Sequence, residues 1–84
     1  FEDRVRQCIC NVEAVLAASG LRLEDAVKTT VFLTNMTDFP RMNAVYGQFW
    51  GEVKPARSCV QVTALPLGTD VEIEAIAVAQ SPAD

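Results

Sequence analysis

Apolar positions recur at helical spacing through residues 1–19. Val5, Cys8, Val12, Val15 and Leu16, with Phe1 at the start, fall on one stripe, and Arg4, Arg6, Gln7 and Glu13 fill much of the remainder. Gly20, after Ala17-Ala18-Ser19, is the expected stop for this helix. The run AVKTTVFLT, Ala26 to Thr34, is rich in β-branched residues and predicts a strand. Val27, Thr29, Val31 and Leu33 share one of its faces; Lys28, Thr30, Phe32 and Thr34 share the other. Neither face is strongly polar, so both are expected to be covered at least in part. Asn35 to Pro40 reads as punctuation, with Thr37 or Asp38 capping a helix and Pro40 in its first turn. Met42, Val45, Tyr46 and Phe49 then recur at helical spacing, with Trp50 beside them, until Gly51 and Pro55 end the helix. This aromatic cluster reads as core rather than as a cofactor pocket.

The stretch PARSCVQVTALP, Pro55 to Pro66, predicts a second strand. Ser58, Val60, Val62 and Ala64 point one way; Arg57, Cys59, Gln61 and Thr63 point the other. Pro66-Leu67-Gly68 is a turn. Val71 to Ala79 is a third strand, with Val71 and Ile73 inward and Glu72 and Glu74 opposite, and the tail Ser81–Asp84 is expected to fray. The order helix, strand, helix, strand, strand predicts a right-handed crossover that makes the first two strands parallel. It also predicts a hairpin between the last two. The fold class is α+β, a mixed three-stranded sheet with two helices on one face. The other face, expected to carry Arg57 and Cys59 or their alternates, has no cover within the chain, and a two-layer domain requires one. Another subunit, or further N-terminal strands plus another subunit, would supply it.

Length and composition narrow the function classes. A chain of 84 residues is one domain. It buries only about 60% of its unfolded surface, so self-association is expected to help it. A net charge of -4 disfavours a general binder of phosphate backbones, and a nucleic-acid partner is not expected. Three cysteines, at 8, 10 and 59, imply no disulfide framework and fit a reducing, cytoplasmic setting. With no histidine and only one C-x-C pair, no metal site is expected. No apolar run is long enough for a spanning helix, so no membrane partner is expected. The chain opens on Phe1-Glu2-Asp3, directly into helical pattern and without an initiator methionine, which reads as a processed or N-terminally incomplete chain.

Four positions carry candidate chemistry. Arg57 opens a strand among neighbours that read as buried. Its planar fork suits a carboxylate, either a salt-bridge partner within the protein or a ligand. Glu72 and Glu74 point to one face, as ordinary strand-surface glutamates or as a carboxylate that activates water. Cys59 has no histidine to activate it, so it is a packed strand cysteine rather than a papain-like nucleophile. Acid–base work at neutral pH would fall to a carboxylate, the cysteine, Tyr46, a lysine or water.

The ordered blocks VKTTVFLTNMTDFPRMNAVYGQFW, PARSCVQVTALPLG and VEIEAIAV resemble the RidA family, also called YjgF/YER057c/UK114, over nearly the whole chain. The resemblance implies a chorismate-mutase-like (YjgF-like) fold assembled as a trimeric barrel, a homotrimer with active sites between subunits. It implies a hydrolase of the 2-iminobutanoate/2-iminopropanoate deaminase type. Such an enzyme converts reactive 2-enamino or 2-imino acids, such as 2-aminoacrylate, to 2-keto acids and ammonia without cofactor or metal. By resemblance, Arg57 of the P-A-R-S block pairs with the substrate carboxylate. Glu72, the first of the E-I-E pair, positions the attacking water, with Glu74 the second candidate. Cys59 lines the pocket, and Asn43 of the D-F-x-x-x-N block has a structural or supporting role. The chain begins at the family's first helix. Residues 1–84 therefore read as a single RidA-like domain without the family's N-terminal hairpin and the tyrosine and serine it contributes. Lys54 stands where the family often has an aromatic or apolar residue; it either adds positive charge near the cleft mouth or faces solvent. The alternative function is a non-catalytic trimeric domain that binds small carboxylate metabolites or a protein partner, and a fragment without independent function is the third reading.

Overall fold

The structure is a computed structural model that describes residues 1–79. Helix α1 (Glu2–Ala18) leads through a short 3-10 turn into strand β1 (Ala26–Leu33); helix α2 (Phe39–Phe49), strand β2 (Ala56–Gln61) and strand β3 (Val71–Ala77) follow. β1 and β2 are parallel, as the crossover requires, and both helices lie over one face. The predicted ends of β2 and β3 were too long, and the tail at 81–84 lies outside the described residues.

The expected hairpin between the last two strands does not form. The sheet order is β2-β1-β3, and β3 pairs antiparallel with β1, not with β2. The physical reason lies in the connection 62–70, which is too long for a tight hairpin loop and instead crosses the end of β1. Val62 N–H donates to the Leu33 carbonyl at 2.8 Å on one side of that end, and Thr34 N–H to the Asp70 carbonyl at 3.3 Å on the other. Pro66–Gly68 turns the chain there, with Leu67 at φ 60° and Gly68 at φ 71°. The strand with the most buried inner face, β1 with Thr29, Val31 and Leu33 fully enclosed, thereby takes the centre.

Alternation breaks at the start of β1. Ala26, not Val27, faces the core, because the register to β3 slips between Ala26 and Lys28. On α1 the buried stripe runs through Val5 and Ile9, with Phe1, Cys8, Val12 and Leu16 partly covered. Val15, expected on the stripe, is exposed: with Cys8, Val12 and Leu16 it borders an open groove along the outer edge of β3. Gly20 ends α1 in the left-handed region, φ 73°, as a helix stop should. At the other helix, Asp38 holds the N-cap position without capping, since its carboxylate meets Arg41 at 3.4 Å; Asn35 caps the preceding 3-10 turn through Thr37 N–H.

Arg4 ties α1 to the end of the connection, donating to Asp70 at 2.9 and 2.6 Å. That hydrogen-bonded guanidinium holds the Asp70 carboxyl below the usual carboxylate range. A depressed folded-state pKa contributes stability above the ordinary aspartate value of about 3.9, and the contribution is lost as pH falls through the folded value. Both side chains are partly exposed, so the effect is small. Asp70→Asn is expected to lower Tm by a few degrees at pH 7, with the gap closing as the pH falls below the ordinary aspartate value in thermal melts. A gap that stays constant down to pH 2 would exclude the ion pair as its source.

Candidate functional site

Arg57 lies on the helix face of β2, level with Thr29 of β1, and not on the uncovered face where the sequence placed it. Alternation had correctly grouped Arg57 with Cys59, but it cannot say which group meets the helices. The inversion puts the guanidinium against α2. Phe39, Asn43 and Tyr46, spaced to share one side of that helix, form its socket. Nη1 donates to Asn43 Oδ1 at 2.6 Å, and the guanidinium carbon stands 4.7 Å from the Tyr46 ring centroid and 5.4 Å from that of Phe39. Tyr46 is itself fixed, since its hydroxyl shares a 2.7 Å hydrogen bond with the buried Thr29 hydroxyl.

The aromatic cluster is core, as expected, and it is also this socket. Tyr46 and Trp50 are both buried, with ring centroids 4.8 Å apart. Trp50 Nε1–H donates to the Leu23 carbonyl at 2.9 Å. The parts of Phe39 and Tyr46 in holding the arginine were missed, although their spacing from Asn43 carried the signal.

A cavity of about 590 Å³ opens beside Arg57, bounded among others by Asn43, Gly47, Trp50, Gly51 and Lys54. No carboxylate lines it. Gly51 has to be small here, because a Cβ would come within 2.7 Å of the Gly47 carbonyl oxygen. Gly47 has no such constraint: a Cβ would meet nothing within 4 Å. Glycine inside a helix costs about 1 kcal/mol relative to alanine, and at Gly47 that cost leaves room beside Arg57.

Cys59 is partly buried against the core. Burial pushes its thiol up, against the downward pull of Arg57, so it stays protonated at neutral pH. Glu72 and Glu74 are exposed on the open face. Glu72 shares a cross-sheet row with Phe32 and Val60, and Glu74 one with Thr30 and Ser58. The structure therefore brings Arg57, Asn43 and Cys59 to one side and leaves Glu72 on the opposite face and the opposite edge strand. Among the described residues no cluster of three or more histidine, cysteine or acidic side chains could hold a metal ion, and no helix is long and apolar enough to cross a membrane.

A two-layer α+β domain with an aromatic-clamped arginine on the helix side of an edge strand is the class of protein these features define. The Endoribonuclease L-PSP family profile matches residues 1–79, and the chain belongs to that family. A RutC family protein of Pyrococcus horikoshii is 49% identical over 77 residues, 92% of this chain and 61% of its own length. TdcF of Escherichia coli K12, whose name assigns it provisionally to the reactive intermediate deaminases, is 48% identical over 80 residues, 92% of this chain and 62% of its own. The crystal structure of E. coli TdcF with bound serine superposes with a TM-score of 0.90 at 46% identity, covering 94% of this chain and 65% of that one. Yeast Mmf1 superposes with a TM-score of 0.91 at 43% identity, covering 94% and 63%. The YjgF-like fold expected from the sequence is thus the fold observed. The chain spans about three-fifths of the length of these relatives.

Proposed function

We propose that this domain hydrolyses reactive 2-imino acids, or their enamine tautomers, to 2-keto acids and ammonia, in clefts between the subunits of a homotrimer. The observation that carries the reading is the Arg57 guanidinium. It is held by Asn43 and two aromatic rings and faces a cavity, and among the described residues it forms no ion pair. Such a group is preorganised for a ligand carboxylate. The similarity to TdcF, provisionally a deaminase and crystallised with an amino acid bound, supports the same chemistry.

In the proposed reaction, Arg57 grips the carboxylate and turns the C=N carbon toward a water positioned by Glu72. Attack forms a C–O bond, and collapse of the tetrahedral adduct to the ketone breaks the C–N bond and releases ammonia. One copy of the chain keeps Glu72 away from its own Arg57, so Glu72 would come from a neighbouring subunit. The open face, with Val60 and Ile76 exposed between its polar side chains, is the surface such a neighbour would cover. The nuclease in the family's description finds less support. Arg4, Arg6, Arg22 and Arg41 are each paired with a carboxylate, which leaves no basic stripe for a phosphate backbone.

The test is hydrolysis of freshly generated 2-aminoacrylate by the full-length protein, read as keto acid and ammonia. Arg57→Ala and Glu72→Ala are each expected to be near the buffer rate. Mixed and reassembled, the two variants are expected to recover activity, because a hybrid trimer contains sites with both groups intact. Equal rates for the parent and buffer would remove the deaminase reading; no recovery on mixing would remove a neighbouring subunit's Glu72 as the group that positions the water.

A further inference from the structure

The cavity beside Arg57, about 590 Å³, has more room than one carboxylate needs, and Lys54 lines it as well. Of the seven lysines and arginines, four pair with carboxylates and Lys28 donates to Ser58 Oγ at 2.7 Å. Lys54 and Arg57 remain, and among the described residues neither forms an ion pair. Both line this one cavity, and no acid does. Two unpaired cations so close repel each other unless an anion or water lies between them. Gly47 lines the same cavity, at a helix position where a Cβ would meet nothing within 4 Å.

We propose that this cavity is a second anion subsite, and that the chain prefers 2-imino dicarboxylic acids, with the α-carboxylate on Arg57 and the side-chain carboxylate on Lys54. The proposal rests on the deaminase reading and names the substrate class of that same site. Lys54 and Arg57 are three residues apart, so their Cα atoms are at most about 11 Å apart. Two long arms from those positions can hold both ends of a four- or five-carbon diacid. A substrate with an alkyl side chain would leave the lysine without a partner.

The experiment compares kcat/KM for imino acids generated in situ by an amino-acid oxidase. Aspartate or glutamate supplies the dicarboxylic case and 2-aminobutanoate the neutral one, all with the full-length protein. In Lys54→Met the ratio of dicarboxylic to neutral kcat/KM is expected to fall roughly three- to tenfold, the range for a partly exposed charge pair, and Lys54→Arg is expected to restore it. Gly47→Leu, which improves helix propensity, is expected to raise KM for the dicarboxylic substrate with no fall in Tm, so that the loss cannot be ascribed to unfolding. An unchanged ratio in Lys54→Met would overturn the proposal. If no imino acid is hydrolysed by any form, the deaminase reading fails by itself. The subsite is then judged by titrating 2-oxoglutarate against 2-oxobutanoate by NMR. Tighter binding of the diacid that is lost in Lys54→Met upholds the subsite, and equal binding of the two removes it.

Discussion

Arg57→Lys is expected to lower kcat/KM for 2-imino acids by roughly a hundredfold although the positive charge is kept. The guanidinium does two things at once: Nη1 donates to Asn43 Oδ1 at 2.6 Å, and the plane lies against Tyr46 and Phe39. With one edge engaged and the plane fixed, the remaining N–H groups can present a fork to a carboxylate. An ammonium has no plane to stack and no fork; it can satisfy Asn43 or the substrate, with poor aim for either. Losing a bidentate charge-assisted pair costs about 3 kcal/mol, which corresponds to roughly a hundredfold in rate. Arg57 is exposed on an edge strand, so Tm should fall by no more than a few degrees. Steady-state kinetics beside a thermal melt separate the two effects. A lysine variant within threefold of the parent would show that only net charge matters there, and the socket would lose its functional meaning.

Most of the layer architecture was legible in the chain, because it depends on periodicity. Val71 and Ile73 against Glu72 and Glu74, or Thr29, Val31 and Leu33 on one face, follow from strand geometry alone. Strand order was not legible. Pro66 to Asp70 looks like a hairpin turn until it is known that β1, with its fully enclosed inner face, takes the centre and draws β3 to its other edge. The side of β2 was not legible either. Val60 and Val62 are more apolar than Arg57 and Cys59, so hydrophobicity alone favours the valines as the inner set. The structure does the opposite and seats the arginine on Tyr46. That inversion makes physical sense if the open face is covered by something other than solvent, since Val60 and Ile76 are then interface residues and Arg57 is free to serve a pocket. Arg57, Cys59 and the Glu72/Glu74 pair stand out by pattern as candidates, whereas the roles proposed for them, and Asn43 itself, come from family resemblance. The socket around Arg57 needed the structure, because the contact between α2 and β2 is set by packing and not by local sequence.

The largest expected effect on stability is at Trp50, which is 2% exposed. Trp50→Ala should cost about 3–5 kcal/mol, a large share of the roughly 5–15 kcal/mol that holds a domain together. Three losses act together. The indole leaves a void among the buried side chains, Tyr46 loses the ring 4.8 Å from its own, and the Leu23 carbonyl loses its 2.9 Å donor. Leu23 opens the turn that delivers the chain into β1, and Trp50 closes α2, so one hydrogen bond joins the end of the second helix to the entry of the central strand. Trp50→Phe isolates that bond. It keeps most of the packing and leaves the carbonyl without its donor, for about 1–3 kcal/mol. Urea unfolding followed by circular dichroism is expected to rank the stabilities as parent, then Phe, then Ala. A phenylalanine variant as stable as the parent would mean that water replaces the indole N–H at no cost. Because Tyr46 packs against Trp50 and also carries Arg57, Trp50→Phe should also weaken carboxylate binding under conditions where the domain is still folded. A drop in stability without that change would show that the core and the socket are mechanically independent.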